Sequence, residues 1–158
     1  MKARVRWLCI AVAALGVLLY PWVFQRFTEA RFAWAIDRAA GKNATDCGVA
    51  TTKQDPGATV ACVNQAIVQG RAFKASFRQF GMDAARATGL AASESGQVTA
   101  VRYDSNPGGF CLYLCRPTIQ AAPCMQPVVE AKRFSPQIWE VAVRCAGESA
   151  SRAATVSP

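Results

Sequence analysis

Seven cysteines and no histidine set the chemical repertoire of this 158-residue chain. Without imidazole there is no Ser-His-Asp triad, no Cys-His pair, no histidine-ligated zinc and no histidine base. The nucleophile system that survives is a serine activated by lysine, and Lys74 and Ser76 stand two apart in the alternating run Phe73 to Arg78. A lysine base must be desolvated enough to lose its proton; a solvated strand face is the plainer reading of the same residues. A second motif, Asp104-x-Asn106-x-Gly108-Gly109, spaces oxygen ligands like the opening of a calcium loop, but Cys115 occupies the place of the closing glutamate. It reads instead as a tight connection in which Asp104 or Asn106 caps its own backbone. With Tyr103 beside it, this loop is the first place to expect partner contact.

Arg71, Lys74 and Arg78 form a third cluster, inside a stretch from Gly70 to Met82 with no acid before Met82. Such charge favours an acidic envelope protein, an anionic envelope polymer or lipid headgroups as partners. Phe73 and Phe77 alternate with Lys74 and Arg78, so base stacking and phosphate contact fall on opposite faces and no nucleic-acid partner is expected. No catalytic residue, metal ligand or cofactor is assigned.

Setting Cys9 aside leaves Cys47, Cys62, Cys111, Cys115, Cys124 and Cys145, an even set in a small domain, which points to three disulfides and an oxidising compartment. A metal site from the last four lacks the paired short knuckles of zinc motifs. The pairs expected are Cys47-Cys62, closing a local loop onto a helix, Cys115-Cys145, tying Arg116-Pro117 to the last strand, and Cys111-Cys124 from the remainder. A Cys111-Cys115 bridge is not expected, because residues i and i+4 of an extended strand lie about 13 Å apart.

These groups need elements to hold them. Lys2, Arg4 and Arg6 precede an uncharged run from Trp7 to Phe24, an export segment that positive-inside reasoning orients with its N-terminus in the cytoplasm. Retention as a signal anchor is expected, since the only good small-x-small candidate after the apolar run, Ala33-Trp34-Ala35, lies beyond the charges Arg26, Glu29 and Arg31. Cys9 opens the apolar run and reads as a membrane residue rather than a lipidation site. Residues 1–25 are therefore expected as the transmembrane anchor, 26–45 as a juxtamembrane helix and linker, 46–146 as the domain, and 147–158 as a flexible tail.

Within the domain, Asp55-Pro56 predicts a helix start, with Asp55 as N-cap, and Val60, Val63 and Ile67 follow at helical spacing up to Gly70. Alternation then predicts strands from Phe73, over Ala85 to Ala92, and over Gln97 to Tyr103, the last two joined by the turn Glu94-Ser95-Gly96. Pro117 to Pro127 reads as irregular. Val128 to Phe134 and Ile138 to Cys145 form a closing hairpin, with Trp139, Val141, Val143 and Cys145 on one face. The fold class expected is α+β: a helix packed on a mostly antiparallel sheet of about five strands, stapled by disulfides.

Cys47-Gly48-Val49, Cys62 within a helix, Gly81-Met82-Asp83, the stretch from Tyr103 to Gly109, Cys115-Arg116-Pro117 and the terminal Cys145 together resemble a loosely defined group of small exported bacterial proteins and lipoproteins of unknown function. The resemblance covers roughly 46–146. It departs in the extra cysteines Cys111 and Cys124 and in an anchor where a lipobox would stand. It implies a compartment and a fold, not an activity.

Three of the 18 basic residues precede Trp7, which leaves 15 against 10 acidic residues beyond the anchor. The sequence reading is thus a non-enzymatic, single-pass inner-membrane module with its C-terminal domain in the periplasm, binding a protein or envelope polymer through Tyr103, Asp104 and Asn106 or through Arg71, Lys74 and Arg78. The alternative is a small anchored hydrolase built on Lys74 and Ser76.

Overall fold

A computed structural model of the protein describes Val23 and residues 26–80, 85–106 and 117–146. Two compact units divide it, Met1–Ala33 and Trp34–Pro158. The anchor expected over 1–25 lies outside the described residues except for Val23, and among the described residues no helix is long and apolar enough to cross a membrane. Helix α1 covers 26–40. In the first unit the Arg31 guanidinium lies 5.9 Å from the Phe27 ring; in the second, Arg38 lies 5.2 Å from the Trp34 ring. Gly41, at φ 83°, ends α1 with its N–H on the Asp37 carbonyl at 3.0 Å, a left-handed cap that glycine adopts without strain.

The second unit is α+β, in the order β1 (Thr45–Thr51), α2 (Gly57–Val68), β2 (Phe73–Phe80), β3 (Ala85–Ala92), β4 (Val98–Asp104), β5 (Thr118–Pro123), β6 (Met125–Ser135) and β7 (Ile138–Ala146). The first five strands form one sheet in the order β1-β2-β3-β4-β5, antiparallel except for the parallel β1–β2 pair that α2 connects; β6 and β7 pair separately.

Sequence pattern explains most of this. The α2 start is one residue later than Asp55 capping requires: Pro56 is the N-cap, and Asp55 Oδ1 instead accepts the Gly57 N–H at 2.8 Å. At the other end, Arg71 N–H bonds Ala66 O at 3.0 Å and Gly70 N–H bonds Ile67 O at 3.1 Å, with Gly70 at φ 61°. That is a Schellman closure, which stops α2 and turns the chain into β2. Phe73, Ala75 and Phe77 alternate inward from β2, whereas β3 is buried at Ala87 and from Gly89 through Ala92. A strand covered on both faces has no reason to alternate.

The core lies between one sheet face and α2 with the β6–β7 hairpin. It gathers Val63 and Ala66 from α2, Phe73 and Phe77 from β2, Leu90 from β3, and Val129 and Val141 from the hairpin, with Val60, Ile67 and Val143 packed at its margin. Trp139 is not part of it; its ring receives the Arg133 guanidinium at 5.5 Å. Asn64 Nδ2 donates to Val129 O at 3.4 Å, Gln79 Nε2 to Val141 O at 3.0 Å, and Trp139 N–H to Thr52 O at 2.8 Å, fastening the hairpin to α2, β2 and the end of β1.

Two strands depart from the sequence reading. β1 begins inside the expected linker, and a bulge between Asp46 and Val49, with Gly48 at φ 88°, breaks its alternation. β5 lies in the stretch read as irregular. It is an edge strand, where proline at the strand end is tolerated.

The disulfides require a correction as well. Cys47–Cys62 is present, with the Cα atoms 5.6 Å apart. Cys124 pairs with Cys145, at a Cα separation of 4.9 Å, so neither Cys115-Cys145 nor Cys111-Cys124 forms. The reason is register. Met125 is opposite Ala146 at the start of the β6–β7 ladder, so the residue preceding each, Cys124 and Cys145, is a diagonal neighbour of the other within bridging reach. Cys111 and Cys115 lie outside the described residues.

Candidate functional site

Lys74 and Arg78 share the sheet face opposite Phe73 and Phe77, as alternation requires, but that face is not an open basic surface. Ser76 is only 8 % exposed. Lys74 Nζ is 2.8 Å from Asp37 Oδ1 and 3.7 Å from Asp46 Oδ2, joining the end of α1 to β1 and β2. The hydrogen bond that Lys74 donates to Asp37 outweighs desolvation and, with the charges of Asp37 and Asp46, holds the ammonium above its ordinary pKa of 10.5. A lysine base needs the opposite shift. Arg78 is half-buried, and its Nε is buried without a hydrogen-bond partner among the described residues.

The Asp104 loop is likewise engaged in its own architecture. Asp104 Oδ1 accepts the Asn106 N–H at 2.9 Å, closing the expected turn, while Oδ2 accepts from Arg86 Nε at 3.2 Å across the β3–β4 pair. Both carboxylate oxygens therefore act within the fold. Tyr103 is 9 % exposed, on the sheet face shared with Lys74, rather than displayed on a loop. Asn106 is half-buried, and the glycines that would complete the calcium-like motif lie outside the described residues.

Arg71 stands apart from the other two cations. It follows the Schellman turn, is exposed, and borders a groove of about 580 Å³ formed where three connections meet: α2 to β2, β3 to β4, and β5 to β6. Ile67, Phe73, Val98, Cys124 and Met125 line its apolar part, and Arg71, Gln97 and Gln126 bring the polar groups. The β3–β4 wall is set by Ser93 to Gln97, where the Gly96 N–H bonds Ser93 O at 2.9 Å and Gly96 takes φ 78°. The β5–β6 wall is held by the Cys124 N–H on Val98 O at 2.8 Å and by the Cys124–Cys145 bridge.

Sequence reading singled out Arg71 but not the groove beside it. Its walls come from turns far apart in the chain, and the wall carrying Cys124 to Pro127 belongs to the stretch read as irregular. The local signal was Gly70 and Gly96, two turn glycines that bring strand ends to one side of the sheet. Compared with family models, curated proteins and solved structures, the chain matches none.

Proposed function

We propose that the protein is a non-enzymatic module held in a bacterial inner membrane by its Trp7 to Phe24 segment, with the domain in the periplasm, where it binds a protein or envelope polymer through the Arg71 groove. The observation that carries the reading is the groove itself: Arg71 is exposed and borders an open cleft, while Lys74 is neutralised by two carboxylates. Two disulfides in so small a domain support an oxidising compartment. The basic residues before Trp7 support the orientation.

The test is affinity capture from detergent-solubilised envelope with the tagged full chain and its Arg71→Glu variant side by side. Wild type is expected to retain a partner that the variant loses, with equal thermal stability of the two baits. Identical capture by both would remove the groove from the function. Fractionation of the same tagged chain is expected to leave it in the membrane pellet after a high-salt wash; a soluble species beginning near Ile36 would overturn the anchor.

A further inference from the structure

The groove has a chemistry specific enough to describe its occupant. Its apolar part is aliphatic and sulfur-bearing at the surface: Met125 is 66 % exposed, Ile67 and Val98 are half-buried, and the one aromatic, Phe73, is fully buried beneath them. A sugar polymer is gripped on exposed ring faces, and among the described residues this cleft presents none. Among the described residues, Arg71 is the only charged group lining it. Its guanidinium has no ion pair or side-chain hydrogen bond among the described residues, whereas Lys74, Arg86 and Arg144 each reach a carboxylate. An anion is therefore the complementary charge.

The rim adds an independent observation. Gln126 is a non-glycine residue at φ 47°, in the left-handed region. It belongs to a register shift between Met125 and Val128, where Gln126 and Pro127 leave the β6–β7 ladder. Backbone strain of this kind persists where the surroundings impose it, often at binding surfaces. Here it turns one amide side chain toward the rim that Gln97 lines from the β3–β4 turn. Two side-chain amides and a guanidinium around an aliphatic cleft match a peptide backbone with an acidic side chain.

We propose that the groove binds an extended peptide segment of a partner protein, with an aliphatic side chain against Ile67, Val98 and Met125, and a nearby carboxylate on Arg71. This rests on the binding-module reading above and narrows it to a peptide of stated charge. The chain's own residues 147–158 are the natural competitor, because β7 ends at Ala146 opposite Met125 on the groove wall, and Glu148 follows closely.

The test uses the full chain in detergent micelles and fluorescein-labelled hexapeptides read by anisotropy. The reference probe is Ala-Ala-Leu-Ala-Glu-Ala, with Lys or Gln replacing Glu and Ala replacing Leu in its controls. The Glu probe is expected to bind about tenfold more tightly than the Gln probe, as one charge-assisted contact gives. Arg71→Glu should abolish that preference and favour the Lys probe, and the probe without Leu should bind several-fold more weakly. Glu148→Gln should leave the affinity unchanged. Equal binding of the Glu and Lys probes, no binding at millimolar peptide, or no effect of Arg71→Glu would overturn the proposal. So would a marked gain of affinity in Glu148→Gln, which would make the tail the occupant. If the probes fail while envelope capture still depends on Arg71, the peptide assignment falls alone; if both fail, the binding-module reading falls with it.

Discussion

Replacing both Cys124 and Cys145 by serine tests the clamp that joins the β6–β7 hairpin to the end of β5. The two residues are 21 apart in sequence. Closing a loop of that length lowers the entropy of the unfolded chain by about 11 cal/mol/K, or about 3 kcal/mol at 25 °C. With a urea slope of about 2 kcal/mol/M, the unfolding midpoint should fall by about 1.5 M while the slope stays nearly constant. Far-UV circular dichroism of the full chain in micelles reads the midpoint, and hydrogen exchange locates the loss, which should be greatest in β6 and β7. Connectivity must be read first. Trypsin leaves Cys111, Cys115 and Cys124 in one fragment, because Arg116 is followed by Pro117, so fragmentation ahead of that proline is needed to assign the partner of Cys145. A link from Cys145 to Cys115 would refute the register of the hairpin. A midpoint unchanged within 0.3 M, with the link confirmed, would refute the loop-entropy argument, as expected if the unfolded chain keeps this hairpin compact.

Other outcomes follow from the core, the ion pairs and the turn. Val141→Asp places a carboxylate among Val63, Phe77 and Val129 and should abolish cooperative unfolding, read as loss of near-UV dichroism. Lys74→Met should cost no more than about 1 kcal/mol, because both of its partners are exposed. Since the Lys74 pKa is raised on folding, its contribution is complete below the ordinary value of 10.5 and is lost only as pH rises through the higher folded value. The wild-type and Lys74→Met melting temperatures should therefore keep a constant difference from pH 7 to 9 and converge in stronger alkali; convergence below pH 9 would refute the sign. Asp104→Ala should cost about 1 kcal/mol through the lost Asn106 and Arg86 contacts and leave peptide binding at the Arg71 groove unaffected.

How much of the fold was legible depended on how each segment displays its neighbours. α2, the β3–β4 hairpin and the β6–β7 hairpin were readable because their caps, turns and alternation lie within a few residues. β1 was hidden by its own bulge at Gly48, and β5 by the prolines that bound it, since each strand is defined by its partner more than by its pattern. The disulfide error has the same origin: the position of Cys124 depends on a ladder whose first pair, Met125 with Ala146, no local signal marks. At the site, residue types were visible and their engagement was not. Nothing near Lys74 in sequence announces Asp37, which comes from α1, and Arg71 gains its setting from two distant turns.

The composition of β3 has a consequence for how this protein can diverge. Ala87, Gly89, Ala91 and Ala92 are methyl-sized or smaller and buried, in the middle strand of a five-stranded sheet. Each added carbon there must displace whatever covers one face or the other, so β3 acts as a spacer of fixed thickness between them. Under mutation, these four positions should accept little beyond exchange among glycine, alanine and serine, while the three connections around the groove sit outside that constraint. Recognition can therefore drift quickly on a scaffold whose centre is nearly frozen, and relatives would then keep a run of small residues longer than they keep any binding residue.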